Sequence, residues 1–314
     1  MKTITLGKSS LKASRLAYGC WRIGGSWDPA EVTPRSAAEG RKAVIAAYEA
    51  GYTLFDHADI YCGGVAESIF GQVLKEVSGM RKRILIATKC GIRFAGDPDK
   101  RAPFRYDFSA KHILHACEQS LQRLGVDRID LYQLHRPDYL MNPHEVAAAF
   151  ATLKKAGKVR ELGVSNFRPS QVTLLQQACP ARLVVNQVEI SLANLTCFED
   201  GTLDQCLAKR ITPLAWSPLA AGKLGNGAQR LLPSQERYQV GRILKELDAQ
   251  AKNHGATRTQ IALAWLLQHP SGIVPIVGSV HVDRIREAAK ATKIDLTRED
   301  WYRLLEAARG ERLP

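Results

Sequence analysis

Short apolar runs recur along the chain, each followed by a polar loop and then by a stretch whose apolar positions repeat at three and four residues. The runs are Arg15–Tyr18, Leu54–Phe55, Ile84–Ala87, Ile129–Leu134, Glu161–Val164, Leu183–Val185, Thr212–Ala215 and Gly272–Val277. Their length and β-branched or aliphatic content predict buried strands. The stretches between them read as helices with clear stops. Ser36–Ala50 ends at Gly51, Ser109–Leu124 at Gly125, Pro143–Ala156 at Gly157, and Pro169–Ala178 just before Pro180. Glycine tolerates the left-handed turn that closes a helix, and proline cannot continue one.

Strand and helix alternate about every 25–40 residues, which builds parallel neighbours joined by crossover helices. Eight such units predict an α/β fold, a (β/α)8 TIM barrel spanning residues 1–314 as a single domain, a length that barrels of this kind reach as one unit. Thr3–Leu6 and the turn Gly7-Lys8 read as an N-terminal hairpin plugging the bottom. Two helical stretches, Thr257–His269 and Thr297–Ala308, read as extra to the repeat. The connection Leu219–Gln239 carries no clear period, and loops of that length in compact domains are usually functional lids or binding loops.

Composition narrows the classes. The apolar fraction of 45% and charged fraction of 24% are those of a globular protein. No run approaches the roughly 18 apolar residues of a membrane span. The N-terminus lacks the apolar stretch and cleavage site of a secretory signal, so a cytoplasmic location is expected. Seven cysteines without a CxxC pair read as reduced, space-filling thiols, not as a disulfide framework or zinc site. The net charge of +13 admits a polyanionic partner. The basic residues are spread out, however, and no nucleic-acid-binding pattern accompanies them, so an anionic cofactor accounts for the charge as well.

In a barrel of this type the chemistry lies at the C-terminal strand ends. Reading just past each run gives Asp56, Lys89, His135, Ser165-Asn166, Gln187, Trp216-Ser217 and Gly278-Ser279. With Tyr61 in the loop after Asp56, these ends bring a phenol, a carboxylate, an ammonium and an imidazole to one mouth. An ammonium beside a phenol eases its proton exchange, and Asp56 would keep Lys89 charged and oriented. His135 would donate a hydrogen bond to a substrate oxygen while Tyr61 protonates it.

The motifs resemble those of the aldo-keto reductases. "FDHADIY", "IATKCG", "YQLHRPD", "GKVRELGVSNF", "NQVEIS", "PLAWSPLAAGKLG" and "IVPIVGS" occur in that family's order over nearly the whole chain. The resemblance implies a reductase of aldehydes or ketones with Tyr61 as general acid/base and Asp56, Lys89 and His135 completing a tetrad. It implies NADP(H) as cofactor. Ser165, Asn166 and Gln187 would bind the carboxamide and Trp216 would stack on the nicotinamide. Ser217, Leu219, Gly222 and Lys223 would line the pyrophosphate path, with Gly278, Ser279 and Arg284 at the adenosine phosphate. Arg284 beside Ser279 suggests a 2′-phosphate, hence NADP over NAD. Ala288 stands where relatives carry Asn, His57 where they carry Thr or Ser, and Cys62 where Gly is commoner.

Blander readings sit beside each residue. Asp56 and Lys89 would serve as a structural ion pair, Ser165-Asn166 as a cap for the helix at Pro169, and Trp216 as barrel packing. His57 and Asp59 with His135 invite a metal, but no HxH pair supports one, so no metal is expected. No GxGxxG follows an early strand, which disfavours a Rossmann dehydrogenase. Two alternatives to a reductase stay open: a cofactor-binding regulatory subunit with little turnover, and an aldolase forming a Schiff base on Lys89. The expected partner is a small carbonyl substrate, with no nucleic acid and no membrane. Trp21, Trp27, the Phe94–Phe108 loop and the region around Leu219–Gln239 are expected to set specificity.

Overall fold

A computed structural model describes residues 1–225 and 240–313. Of the long connection expected at Leu219–Gln239, only 219–225 falls among them; a lid over 226–239 lies outside the described residues.

The strands run in chain order β1 (Thr3–Thr5), β2 (Lys12–Ser14), β3 (Ala17–Gly19), β4 (Leu54–Asp56), β5 (Leu85–Cys90), β6 (Ile92–Arg93), β7 (Arg105–Tyr106), β8 (Ile129–Leu134), β9 (Val159–Ser165), β10 (Leu183–Glu189), β11 (Thr212–Trp216) and β12 (Val274–Val277). The helices are α1 (Pro34–Glu49), α2 (Val65–Glu76), α3 (Ala110–Leu124), α4 (Pro143–Lys155), α5 (Pro169–Ala178), α6 (Thr196–Glu199), α7 (Thr202–Lys209), α8 (Gly241–Asn253), α9 (Arg258–Gln268), α10 (Val282–Ala289) and α11 (Arg298–Arg309).

Eight parallel strands close in the order β3-β4-β5-β8-β9-β10-β11-β12, with Ile276 and Val277 of β12 paired to Ala17 and Tyr18 of β3. Helix starts follow the caps in the sequence. Thr33 Oγ1 accepts from Ser36 N (3.1 Å) and Ser36 Oγ accepts from Thr33 N (3.0 Å), with Pro34 opening α1. Asn142 Oδ1 takes the first amides of α4. At α5 the residue before the helix is Arg168, so Ser165 and Asn166 do not cap it.

Side chains alternate across each strand. Leu54, Leu85, Ala87, Leu131, Val185, Leu214 and Val274 form an apolar floor inside the barrel. The next inward positions on β4, β5, β8 and β10 are polar: Asp56, Lys89, Gln133 and Gln187 are all buried. Phe55, Ile86, Tyr132 and Leu134 point outward into the helical ring. The antiparallel hairpin β1–β2 plugs the bottom: Leu6 and Leu11 join the floor, and Gly7 N donates to Thr212 Oγ1 (2.8 Å). Gly7 has φ +53°, and a Cβ there would lie 2.5 Å from Val184 O, so only glycine fits the plug's turn.

One helix differs in role from expectation. α9 packs on β12 and α10 and completes the ring, whereas the extra pair is α8 with α11, which pack on each other. Several strand bounds are also longer: Lys89, Gln187 and Trp216 lie inside their strands, since the ladder continues through them.

Candidate active site

β4 delivers Asp56 to the mouth, and the loop after it is fastened to the neighbouring strand. His57 N donates to Ala87 O (2.8 Å) and Asp59 N to Lys89 O (3.0 Å). Tyr61 follows. The chain then turns through three left-handed residues, Cys62 (φ +50°), Gly63 (φ +56°) and Gly64 (φ +91°), into α2. A non-glycine there is strained, and the Cys62 side chain is buried against the stretch around Gly24. Tyr61 is thereby held over the strand that carries Lys89.

Lys89 Nζ donates to Asp56 Oδ1 (2.7 Å) and His57 O (2.6 Å), and Gln187 Nε2 donates to Asp56 Oδ2 (3.2 Å). Lys89 and Asp56 are 1% and 2% exposed. Nζ lies 5.0 Å from the centre of the Tyr61 ring. Burial pulls the Lys89 ammonium down, but Asp56 and Tyr61 outweigh it and its pKa ends above the ordinary lysine value. Burial pushes the Tyr61 phenol up to about 12, with Lys89 pulling the other way. Burial, then Lys89 and Arg136, hold the His135 imidazole well below its usual range, so the ring is neutral. His135 meets Tyr61 edge-on at 5.9 Å between centroids.

A cavity of about 1280 Å³ opens on these groups. Asp56, Tyr61, His135, Ser165, Asn166, Gln187, Trp216, Ser217, Leu219, Gly222, Gly278, Ser279 and Arg284 all line it; Lys89 sits beneath it and Lys223 is outside the lining. Trp216 forms one wall, with its Nε1 donating to Asn166 Oδ1 (2.9 Å) and the Arg136 guanidinium 5.5 Å from its ring centre. Asn166, left-handed at φ +62°, donates to His135 O (3.1 Å) and Ser165 Oγ (2.8 Å). Both ends of that amide are therefore engaged within the protein. Gly278 passes beneath Trp21, where a Cβ would lie 3.0 Å from the indole Nε1. Ser279 O accepts from Tyr18 OH (2.9 Å), and Arg284 stands in the first turn of α10.

The residues suspected of metal binding lie apart from one another in role. His57 is fully buried, edge-on to Phe70 at 4.5 Å, with both ring nitrogens unpartnered; burial, then Lys89, lowers its pKa to about 3. Among the described residues no group of three His, Cys, Asp or Glu is placed to hold a metal. The seven cysteines are all free and buried.

The sequence pattern of the Aldo/keto reductase family matches residues 15–309. The chain belongs to that family. It is 42% identical over 315 residues to a 6-dehydroglucose reductase of Novosphingobium aromaticivorans, covering 98% of this chain and 96% of that one. It is 38% identical to the oxidoreductase YdhF of Escherichia coli over the full length of both. Among solved structures, the glycerol dehydrogenase AKR11B4 of Gluconobacter oxydans superposes with a TM-score of 0.85 at 26% identity, covering 99% of this chain and 97% of that one. This aldo/keto reductase is accordingly an oxidoreductase, and among its described residues no helix is long and apolar enough to cross a membrane.

Several cavity residues carried no sequence signal. Arg22, Asp28 and Glu31 line the mouth, yet Arg22 and Glu31 end single-turn 3-10 helices (Cys20–Arg22 and Pro29–Glu31), too short for a period to mark which side chains turn inward. Arg136, also in the lining, stands in the YQLHRPD motif, which gave it no role of its own. Trp21 and Trp27 meet at a tilt with ring centroids 5.4 Å apart, and Trp27 meets Tyr61 edge-on at 6.1 Å.

Proposed function

We propose that the protein is an NADPH-dependent reductase that converts an aldehyde or ketone to an alcohol, with Tyr61 as proton donor. The buried Asp56–Lys89 pair directly beneath Tyr61 carries this reading. A phenol raised to about 12 is protonated at neutral pH, as a donor must be. The Lys89 ammonium favours the phenolate left behind when the proton departs. The neutral His135 ring offers an N–H to a carbonyl oxygen without competing for charge. As a Schiff-base nucleophile Lys89 is poorly suited, being held as ammonium and 1% exposed.

The residues fit a nicotinamide dinucleotide. The cavity runs from the Trp216 indole to Arg284, and the missing side chain at Gly278 lets the Trp21 indole close against that strand end. Bound NADPH would supply the hydride. Trp216 would support the ring, and the Arg284 guanidinium would grip the 2′-phosphate. The names of relatives, with Trp21, Trp27, Asp28 and Glu31 around Tyr61, support a polyhydroxylated carbonyl such as an oxidised sugar as substrate. Tryptophan faces pack on C–H groups while carboxylates accept from hydroxyls.

The test is NADPH oxidation with a panel of aldehydes, sugar aldehydes included. Tyr61→Phe should lose most turnover, on the order of a hundred-fold or more, while NADPH affinity, followed through Trp216 fluorescence, is retained. Full activity in Tyr61→Phe would remove Tyr61 from the mechanism. Equal affinity for NADPH and NADH would remove the 2′-phosphate from Arg284.

A further inference from the structure

The polar layer inside the barrel extends past the groups at the mouth. Gln133 on β8 is the register partner of Lys89 on β5 and of Gly163 on β9, and it is fully buried. Its Nε2 donates across β9 to Gln187 Oε1 on β10 (3.3 Å), and Gln187 Nε2 donates to Asp56 Oδ2 (3.2 Å). The other oxygen of that carboxylate takes the Lys89 ammonium (2.7 Å). The direction of this chain is set by chemistry. An ionised carboxylate only accepts, so Gln187 must turn its NH₂ to Asp56 and its oxygen to Gln133, which must answer with its own NH₂.

Two features mark the chain as more than filling. Gln133 Oε1, at its far end, is buried with no partner. A methionine or leucine would fill the same space without that orphaned acceptor. Gly163 stands in the gap: a Cβ there would lie 3.2 Å from Gln133 Cγ and 2.4 Å from Val185 Cγ2. With adjacent strands about 4.8 Å apart, β8 and β10 are roughly 10 Å from each other, and two glutamines meet only if β9 places no side chain between them.

We infer that Gln133 is a positioning residue for the proton-donating centre: through Gln187 it holds the Asp56 carboxylate, and with it the Lys89 ammonium, in one orientation beneath Tyr61. Its kinetic consequence rests on the carbonyl-reductase reading.

Gln133→Met keeps the shape and removes the donor. It should lower kcat on the order of ten-fold, the effect of one loosened hydrogen bond to a charged group, with substrate KM and NADPH affinity held within about two-fold. Adding it to Gln187→Met should change kcat by less than about two-fold, because the two act in series. Side-chain amide hydrogen exchange at Gln187, followed by NMR, should quicken about ten-fold or more in Gln133→Met. Gln133→Asn, which keeps the amide but falls one methylene short, should behave alike and serves where Met does not fold. Wild-type kcat and exchange in these variants, or additive losses in the double variant, would overturn the inference. A wild-type protein that reduces no carbonyl overturns the functional reading instead, and the exchange measurement then decides the relay alone.

Discussion

Asp56→Asn isolates the charge that the site is built around. The amide keeps the carboxylate's shape, yet it leaves the Lys89 ammonium facing a neutral group at a distance of 2.7 Å, with His57 O as its remaining close acceptor. Both side chains are essentially sealed from water. Removing one partner of a buried pair costs about 3–5 kcal/mol. The pH dependence distinguishes charge from packing. In the native protein Asp56 and Tyr61 raise Lys89 above its ordinary 10.5 despite burial, so its contribution is fully present below 10.5 and is lost as pH rises through the folded value. In the variant burial dominates and depresses Lys89, so the penalty is greatest at neutral pH and fades as the unfolded lysine also becomes neutral. Urea unfolding should therefore show a gap of about 3–5 kcal/mol near pH 7 that narrows toward about pH 10 and above. A gap independent of pH, or one below about 1 kcal/mol at neutrality, would refute an ion pair as the organising contact.

His57→Leu removes two unpartnered buried nitrogens and should stabilise the fold by about 1 kcal/mol at neutral pH. Because the folded imidazole resists protonation down to about 3 while the unfolded one titrates at 6.5, the native protein loses up to about 1.4 kcal/mol per pH unit through this residue between those values. The variant should have a flatter acid limb in urea unfolding, and a curve parallel to the native one would contradict this account. Arg123→Met strands Glu67, which is fully buried and bonded to Arg123 Nε (2.7 Å) and Thr88 Oγ1 (2.6 Å), and should cost about 3 kcal/mol of stability. Activity per folded molecule should stay within about two-fold, and a stability loss below about 1 kcal/mol would show that the guanidinium is not needed.

What the chain discloses by itself depends on how local the cause is. Gly125, Gly157 and Pro169 act within a turn of their own positions, so α3, α4 and α5 fall where the sequence puts them. Asp56, Lys89 and His135 are legible because strand ends in a barrel converge whatever lies between them. α8 escapes notice because it opens on Gly241 after Val240, with no capping side chain to announce it. The choice between α8 and α9 as the ring helix is decided by packing on β12, a contact with no local trace. Gln133 is the furthest case. Its neighbours Lys89 and Gln187 are 44 and 54 residues away: strand pairing brings Lys89 beside it, and only the gap at Gly163 lets it reach Gln187.

The hairpin plug has a practical consequence. Met1 packs beside Gly51 at the closed end of the barrel, opposite the mouth that carries Tyr61 and Trp216. A tether attached through residue 1 would present every molecule on a surface with its opening toward solution. Immobilised in that way, the protein would keep free access for dissolved reactants, and a support could be crowded without blocking entry.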